Sequence, residues 1–429
     1  MAKRAAIYTL GCRLNQSESA LLSDRLEQAG YELVPFDEPA DLGIINTCTV
    51  TGEADTKSRK MIRAFVRRNP HAFVAVLGCY SQVAAEAVAE IEGVDLVIGN
   101  GEKLRVLEYV SEVKRERTQI VSGRISREDF RIETDAPSSV VRRVNLKIQE
   151  GCNFMCSYCI VPYARGGPRS RELENVIDEA RALVERGAKE IVLTGINVGA
   201  YRQNGHSILD VIDRLNDLRG LARIRLGSIE LTTIPDGLLE RMNDREHKLV
   251  PFLHIPLQSG SERILKLMRR TYTAGEARTF LEKACKEAED LCLGTDLLLG
   301  FPGETETDFQ ETAQFFEDSP LVFAHVFKYS PRKGTPAADM DGRVEPTVLN
   351  ERSAVLRRLV RRKRKRFHQR YVGRVAPVLF EQSDNETWTG YTPNYIRVAV
   401  TSHENLTNTI RGVVLLEPHG EHMRGNLNE

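Results

Sequence analysis

Three cysteines in one run, Gly151-Cys152-Asn153-Phe154-Met155-Cys156-Ser157-Tyr158-Cys159, limit this chain more than any other feature. The C-x3-C-x2-C spacing puts three thiolates on one tight loop. A cubane [4Fe–4S] cluster normally takes four cysteines. A three-cysteine site leaves one iron open to a small molecule, and an open position separates reactive metal sites from structural ones. A zinc knuckle would need a second Cys or His couple. None follows in the next stretch of chain, where the nearest histidine is His206. Cysteine as a small core hydrophobe is common, but three beside Gly151 and Asn153 are not core patterning.

At 429 residues the chain should hold two or three domains. Its start runs from Met1 directly into a strand-like segment without a signal-peptide pattern. The eight cysteines are therefore expected to be reduced ligands in a cytoplasmic protein rather than disulfides. No apolar run is long enough to span a bilayer, so no membrane partner is expected. Lys+Arg and Asp+Glu both number 60, so total charge neither supports nor excludes a nucleic-acid partner.

The first hundred or so residues alternate strand-like runs (5–10, 42–46, 73–77, 95–98) with helix-like runs (17–29, 54–68, 82–91). That pattern predicts an open, mostly parallel α/β sheet. Cys12, Cys48 and Cys79 each follow a strand, and such strand ends share one edge where ligands bind. Any one of them alone would read as filling. Together they predict a second iron–sulfur cluster, again one protein ligand short. Lys57, Arg59, Lys60, Arg63, Arg67 and Arg68 follow on a helix that is either merely solvated or a phosphate-binding face.

Beyond Cys159, strand–helix units continue to residue 329. About six of them predict a partial (β/α)6 barrel with its site at the C-terminal strand mouths. Those mouths carry Thr194-Gly195-Ile196-Asn197, Ser228-Ile229-Glu230, His254-Ile255-Pro256-Leu257-Gln258 and Gly300-Phe301-Pro302-Gly303-Glu304. Ser228, Glu230, His254 and Gln258 are candidate contacts to a cofactor or substrate, although a lone histidine at a strand end is more often structural. Arg165, Arg169 and Arg171 are either surface residues or neutralise an anionic ligand or RNA backbone. Cys285 and Cys292 lack a nearby third ligand and read as structural.

Residues 357–366 form the densest basic run, and the segments 372–381, 387–391, 396–400 and 409–417 after it are β-like. A small OB-like β-barrel with a basic approach predicts RNA binding. The expected division is an α/β domain over 1–115, a linker over 116–137, the barrel over 138–366 and the end module over 367–429.

The cysteine loop resembles that of the radical S-adenosylmethionine (SAM) enzymes. The order of three-cysteine α/β domain, radical SAM barrel and terminal β-barrel resembles the methylthiotransferases, where the end module is called TRAM. The likeness covers essentially the whole chain. The opening Thr9-Leu10-Gly11-Cys12-Arg13-Leu14-Asn15-Gln16-Ser17-Glu18-Ser19, the Ala164-Arg165-Gly166 and Ser228-Ile229-Glu230 segments, and Gly390-Tyr391-Thr392-Pro393-Asn394-Tyr395-Ile396-Arg397-Val398 resemble the branch acting on threonylcarbamoyladenosine in tRNA. Gly167-Pro168-Arg169 departs from the Pro-Glu-Arg of many relatives.

The resemblance implies two [4Fe–4S] clusters, one on Cys152, Cys156 and Cys159 and one on Cys12, Cys48 and Cys79. It implies SAM at the first, with Tyr158 near the adenine, Thr194-Gly195 near the amino group and Asn197 among the cofactor-binding residues, and one SAM cleaved to a 5′-deoxyadenosyl radical while a second supplies the methyl. It further implies a tRNA anticodon stem-loop as partner, a reduced flavodoxin or ferredoxin-type electron donor and a sulfur donor. The expected reaction is 2-methylthiolation of N6-threonylcarbamoyladenosine at position 37. The same machinery could serve isopentenyladenosine-37 or a ribosomal protein side chain. A non-catalytic iron–sulfur RNA-binding protein is the alternative of another class.

Overall fold

The computed structural model describes residues 2–111, 113–133 and 143–428. Its first sheet holds β1 (Arg4–Thr9), β2 (Glu32–Leu33), β3 (Leu42–Thr47), β4 (Phe73–Gly78), β5 (Leu96–Ile98) and β6 (Gln119–Val121), in the order β2-β1-β3-β4-β5-β6. Every pairing is parallel. β3 and β4 are buried at every position, as an all-parallel sheet covered on both faces requires. The period of two divides their side chains between two cores. Ile44, Ala75 and Leu77 pack with Leu22 and Leu26 of α1 (Arg13–Gln28), whereas Ile45, Val74 and Val76 pack with Ile62 and Phe65 of α2 (Gly52–Arg68). Thr51 caps α2, with Glu53 and Asp55 at its positive end and Arg67 and Arg68 at its negative end.

Two local expectations change. The helix expected over 82–91 is two short ones, Cys79–Val83 and Ala85–Ala89, because Ala84 leaves helical geometry (φ −145°, ψ 49°). The break lets Tyr80, Ala85 and Val88 reach one core. The sheet also runs past residue 115, since β6 comes from the stretch 116–137. Residues 134–137 and the boundary at 138 lie outside the described residues.

The barrel strands are β7 (Arg143–Lys147), β8 (Glu190–Thr194), β9 (Arg223–Leu226), β10 (Phe252–His254), β11 (Cys292–Leu299) and β12 (Phe323–Lys328). They form two parallel three-stranded sheets, β9-β8-β7 and β10-β11-β12, joined by the bridges Ile224↔Leu249 and Ser228↔His254. The result is an incomplete six-stranded barrel. Three of its helices start with reciprocal caps, Ser207 with Asp210, Thr273 with Glu276 and Thr305 with Asp308.

The basic run lies inside a long helix, Pro346–Gln369. Lys363 Nζ donates to the carbonyls of Phe316, Glu317 and Ser319, closing the C-terminus of the helix Glu306–Asp318. Arg357, Arg358, Arg361 and Lys365 face solvent. The chain ends in a closed barrel of β13 (Val375–Asp384), β14 (Thr387–Tyr391), β15 (Arg397–Thr401), β16 (Ile410–His419) and β17 (His422–Leu427), ordered β13-β14-β15-β17-β16. β17 carries no expected strand signal, because within His422-Met423-Arg424-Gly425-Asn426 only Met423 and Gly425 are buried and only Met423 is large.

The terminal barrel docks on β8 and β9 through buried charge. Glu190 pairs with Arg225 at 2.6 Å and lies 3.7 Å from Arg223. The two guanidinium groups also donate to the carbonyls of Tyr391, Pro377 and Pro393 of the end module, each at 2.8–2.9 Å. Removing Glu190 leaves two buried arginines without their carboxylate. Glu190→Ala should therefore lower stability by about 3–5 kcal/mol in urea denaturation and expose the Arg370–Arg374 junction to limited proteolysis. Unchanged cleavage there would mean that the end module is held by other contacts.

Candidate active site

β1, β3 and β4 deliver Cys12, Cys48 and Cys79 to one sheet edge. The strand order reverses at β1, so the crevice between the ends of β1 and β3 is the topological switch point of the sheet. Cys12 and Cys48 flank it. Gly11 has φ +100°, and a Cβ there would lie 2.7 Å from Cys48 Cβ and 3.0 Å from its Sγ. Only glycine admits that approach. Burial pushes the Cys48 thiol up to about 11, and the adjacent Cys79 and Cys12 push it the same way. Asn100 Nδ2 lies 3.4 Å from Cys79 Sγ.

The second cysteine loop is stapled at both ends. Gln149–Glu150 pairs antiparallel with Arg169–Ser170, and Cys152 N donates to Gly166 O. A Cβ on Gly151 (φ +74°) would meet Gly167 O at 1.9 Å. Ser157 N and Oγ donate to the carbonyls of Met268 and Leu267. Burial raises the Cys152 thiol and holds the Cys159 thiol at about 12, and the neighbouring Cys156 pushes both the same way. Arg270 Nη1 lies 3.3 Å from Cys156 Sγ and its Nη2 pairs with Glu230 at 2.5 Å. Burial works against the charge on Arg270, but Tyr272, Tyr158, Glu230 and Cys156 outweigh it.

Between the two cysteine sets lies a buried ion network. Arg165 reaches Glu150 at 2.6 Å, Glu18 at 3.2 Å and Asn15 at 2.5 Å. Lys147 bridges Glu18 (2.8 Å) and Glu150 (2.7 Å), Lys103 pairs with Glu18, and Arg169 reaches Glu150 at 3.0 Å. Four cations thus face two carboxylates. Burial opposes the charge on Arg165, while Cys79, Glu18, Glu150 and Cys12 hold it charged. The missing negative charge lies on the side of the thiols, which fits an anionic thiolate cluster there. This corrects the expectation for Arg165 and Arg171. Neither is a surface residue nor reaches RNA, since Arg171 is buried against Glu179.

The other candidates divide into two groups. Gln149 Oε1 accepts from the N–H groups of Ile196 and Asn197, while its Nε2 donates to the carbonyls of Glu150 and Gly151. It thereby locks the Gly195 turn to the cysteine loop. Asn197 Oδ1 accepts from Glu230 N at 3.1 Å, and both Asn197 Nδ2 and Glu230 Oε1 are buried without a protein partner among the described residues. Such orphaned atoms beside Arg270 suit a bound polar cofactor. Tyr158 packs against the Ile264, Met268 and Phe301 cluster. Gln258 has φ +75° and spends its backbone on Asp296 and Leu298 of β11.

Thr194, Gly195, Ser228 and His254 instead line a cavity of about 500 Å³ together with Cys12. Its walls come from all three modules. Ser228 Oγ lies 2.9 Å from His254 Nδ1, and His254 Nε2 lies 3.2 Å from Asp296. His254, Asp296 and His325 bring ligand atoms within 4.8 Å of one another.

An incomplete parallel barrel with three thiols on the loop after its first strand defines a radical SAM enzyme. The pattern of the radical SAM superfamily matches residues 146–316, and that of "Uncharacterized protein family UPF0004" matches residues 4–99. The solved structure of TsrM, a radical SAM methyltransferase from Kitasatospora setae with cobalamin and a [4Fe–4S] cluster bound, shares the fold at TM-score 0.58 and 17% identity, over 79% of this chain and 77% of that one. Among curated proteins, the threonylcarbamoyladenosine tRNA methylthiotransferase MtaB of Bacillus subtilis is 40% identical over 96% of this chain and 93% of its own length. That of Aquifex aeolicus is 36% identical over 96% and 100%. A tRNA-2-methylthio-N(6)-dimethylallyladenosine synthase of Zymomonas mobilis is 35% identical over 89% and 86%. The chain belongs to the radical SAM methylthiotransferase family, enzymes that transfer a sulfur-containing group using SAM and iron–sulfur clusters.

Sequence reasoning missed Gln149, Arg270, Asp296 and His325. It also missed the network, whose signal was Asn15 and Glu18 on the apolar stripe of α1 between Leu14 and Leu22. Glu18→Gln leaves the network with one carboxylate and should cost about 3–5 kcal/mol. The folded state holds Glu18 and Glu150 below 4.5, Glu150 at about 2, with burial opposed by Arg165, Lys103 and Lys147. Their contribution is complete above pH 4.5 and is lost as pH falls towards those folded values. Acid unfolding followed by tryptophan fluorescence and circular dichroism should show this loss in wild type and a reduced one in Glu18→Gln.

Proposed function

We propose that this enzyme converts N6-threonylcarbamoyladenosine at position 37 of tRNA to its 2-methylthio derivative. The observation that carries the reading is the pair of three-cysteine sets on facing modules, joined by one buried ion network and bordering one cavity through Cys12. The two relatives named above for this activity span nearly the whole chain, which supports the choice of substrate.

In this reading Cys152, Cys156 and Cys159 would hold one [4Fe–4S] cluster, and Cys12, Cys48 and Cys79 a second. When bound, the clusters and SAM supply the one-electron and sulfur chemistry needed to replace an aromatic C–H by C–S. The chain supplies position. Gln149 fixes the turn bearing Gly195 and Asn197 against the loop, and Asn197 Nδ2 and Glu230 Oε1 offer a donor and an acceptor to the SAM amino acid moiety. Arg270 pairs with Glu230, opposing the burial that raises its pKa, and supplies positive charge beside Cys156. Arg332 pairs with Asp55 and Thr49, each at 2.6 Å, which fixes the Cys48 turn against the barrel.

Residues 1–115, their sheet completed by β6 from the stretch 116–137, would carry the auxiliary site, 138–366 the SAM site and 367–429 the RNA-binding TRAM module. Exposed Arg357, Arg358, Arg361 and Lys365, with Lys57, Lys60, Arg63, Arg67 and Arg68 of α2, would grip the stem by its phosphates. An unpaired loop base costs less to extrude than a duplex base. A flavodoxin or ferredoxin-type donor and a sulfur donor complete the system in the cytoplasm.

Deletion of the gene should abolish 2-methylthio-N6-threonylcarbamoyladenosine in nucleoside mass spectrometry of cellular tRNA while leaving 2-methylthio-isopentenyladenosine unchanged. Persistence of the first nucleoside would refute the substrate. Anaerobic reconstitution should give about eight irons per chain, falling to about four when Cys12, Cys48 and Cys79 are all alanine.

A further inference from the structure

We propose that Arg13 and Arg364, with Arg397 beside them, form the subsite that holds the threonyl carboxylate of the substrate nucleoside. The inference rests on the function proposed above and names the residues that select its substrate. The threonylcarbamoyl group ends in a free carboxylate, whereas a dimethylallyl group is pure hydrocarbon. Positive charge beside the reacting base tells them apart within a shared catalytic core, because one charge-assisted pair outweighs a few methyl contacts.

The cavity that includes Cys12 has positive charge, half-buried on Arg13 and Arg364 and exposed on Arg397. Arg13, Arg364 and Arg397 line it, against the two carboxylates Asp296 and Glu421. Arg364 lies 3.4 Å from Glu421, a loose pair at the rim. Arg13 Nη2 donates to Tyr395 Oη at 2.9 Å and its guanidinium stacks 5.8 Å above that ring. This fixes the fork and leaves further N–H donors for a carboxylate. The two arginines come from opposite ends of the chain, yet converge on His325. Burial and His254 disfavour the charged form of His325, and Arg364 and Arg13 add to that.

The polar floor fixes the orientation. Asp296, beside His254 and His325, repels a carboxylate and accepts from a hydroxyl or carbamoyl N–H. The acid end therefore turns to the arginines, while the carbamoyl and hydroxyl groups meet the floor. Because Cys12 shares this cavity, an N6 substituent anchored here presents the adenine to the edge carrying Cys12, Cys48 and Cys79. Tyr391 and Tyr395, stacked at 4.8 Å, add an aromatic wall.

The test uses the full-length protein and synthetic anticodon stem-loop RNAs with three forms of residue 37: threonylcarbamoyladenosine as free acid, the same nucleoside as its methyl ester, and plain adenosine. Binding is read by fluorescence anisotropy. Wild type should bind the acid about tenfold or more tighter than the ester. Arg364→Gln and Arg13→Gln should bring that ratio towards one without weakening ester binding. Arg245→Gln, an exposed arginine outside the cavity, should keep the ratio. Arg364→Gln stands apart from every proposed cluster ligand, so it remains decisive if Arg13→Gln disturbs the Cys12 turn. Equal binding of acid and ester by wild type, or a ratio that survives Arg364→Gln, overturns the subsite. If cellular tRNA still loses its 2-methylthio-threonylcarbamoyl nucleoside on gene deletion, that result removes the subsite alone and leaves the function standing.

Discussion

The buried guanidinium of Arg165 is the contact on which the arrangement depends. It comes from the barrel, just past the second cysteine loop, and inserts between Glu18 and Asn15 of the first domain and Glu150 of its own. Taking such a charge out of water costs several kcal/mol, so it persists only where its partners are held rigidly. The burial that makes the network costly also makes it directional. A displacement of one domain would break the Lys147–Glu18, Arg165–Glu18 and Arg165–Asn15 contacts and leave Lys147 and Arg165 to share Glu150 alone, so the two cysteine sets keep one separation.

The charge imbalance explains why this network lies where it does. In a structural salt-bridge cluster the charges would cancel, whereas here the cations exceed the carboxylates, and the excess faces Cys79 and Cys12. An anionic cluster at that edge would complete the balance, and its loading would stabilise the domain junction as well as equip the enzyme. On the other side Arg270 does for Cys156 and Glu230 what Arg165 does for the first set. Each cysteine set therefore has a buried arginine within its electrostatic reach that also pairs with a carboxylate.

Much of this was legible in the sequence because it depends on local pattern. β–α alternation gave the parallel sheet and the barrel, and the parallel sheet in turn implied that residues 12, 48 and 79 meet. What the sequence hid is long-range pairing of polar groups. Arg165 and Arg171 read as exposed because arginine usually is, and nothing near them in sequence reveals Glu18 or Glu179 as partners. Gln149 and Arg270 are single polar residues whose importance comes only from what folds onto them. β17 was invisible because a strand closing a small barrel needs only alternate small or apolar residues, and Gly425 gives no strand signal. Thr194 and His254 sit at strand mouths as expected, yet they face a different space from Asn197 and Glu230.

That division of the strand-mouth residues has a functional consequence. Asn197, Glu230 and Arg270 belong wholly to the barrel, so a cofactor held by them requires nothing from the other modules. The cavity by Cys12 has walls from the first domain, the barrel, the long basic helix and the terminal module, and exists only when all are docked. In the proposed function SAM binding would therefore be a property of the barrel and substrate choice a property of the assembly. The terminal module does more than carry basic residues to an RNA stem. Through Tyr391, Tyr395 and Arg397 it forms one wall of the space a nucleoside must enter, and the buried Glu190, Arg223 and Arg225 keep that wall in place. In the proposed function, gripping the RNA and selecting the base would thus be coupled through a single rigid interface.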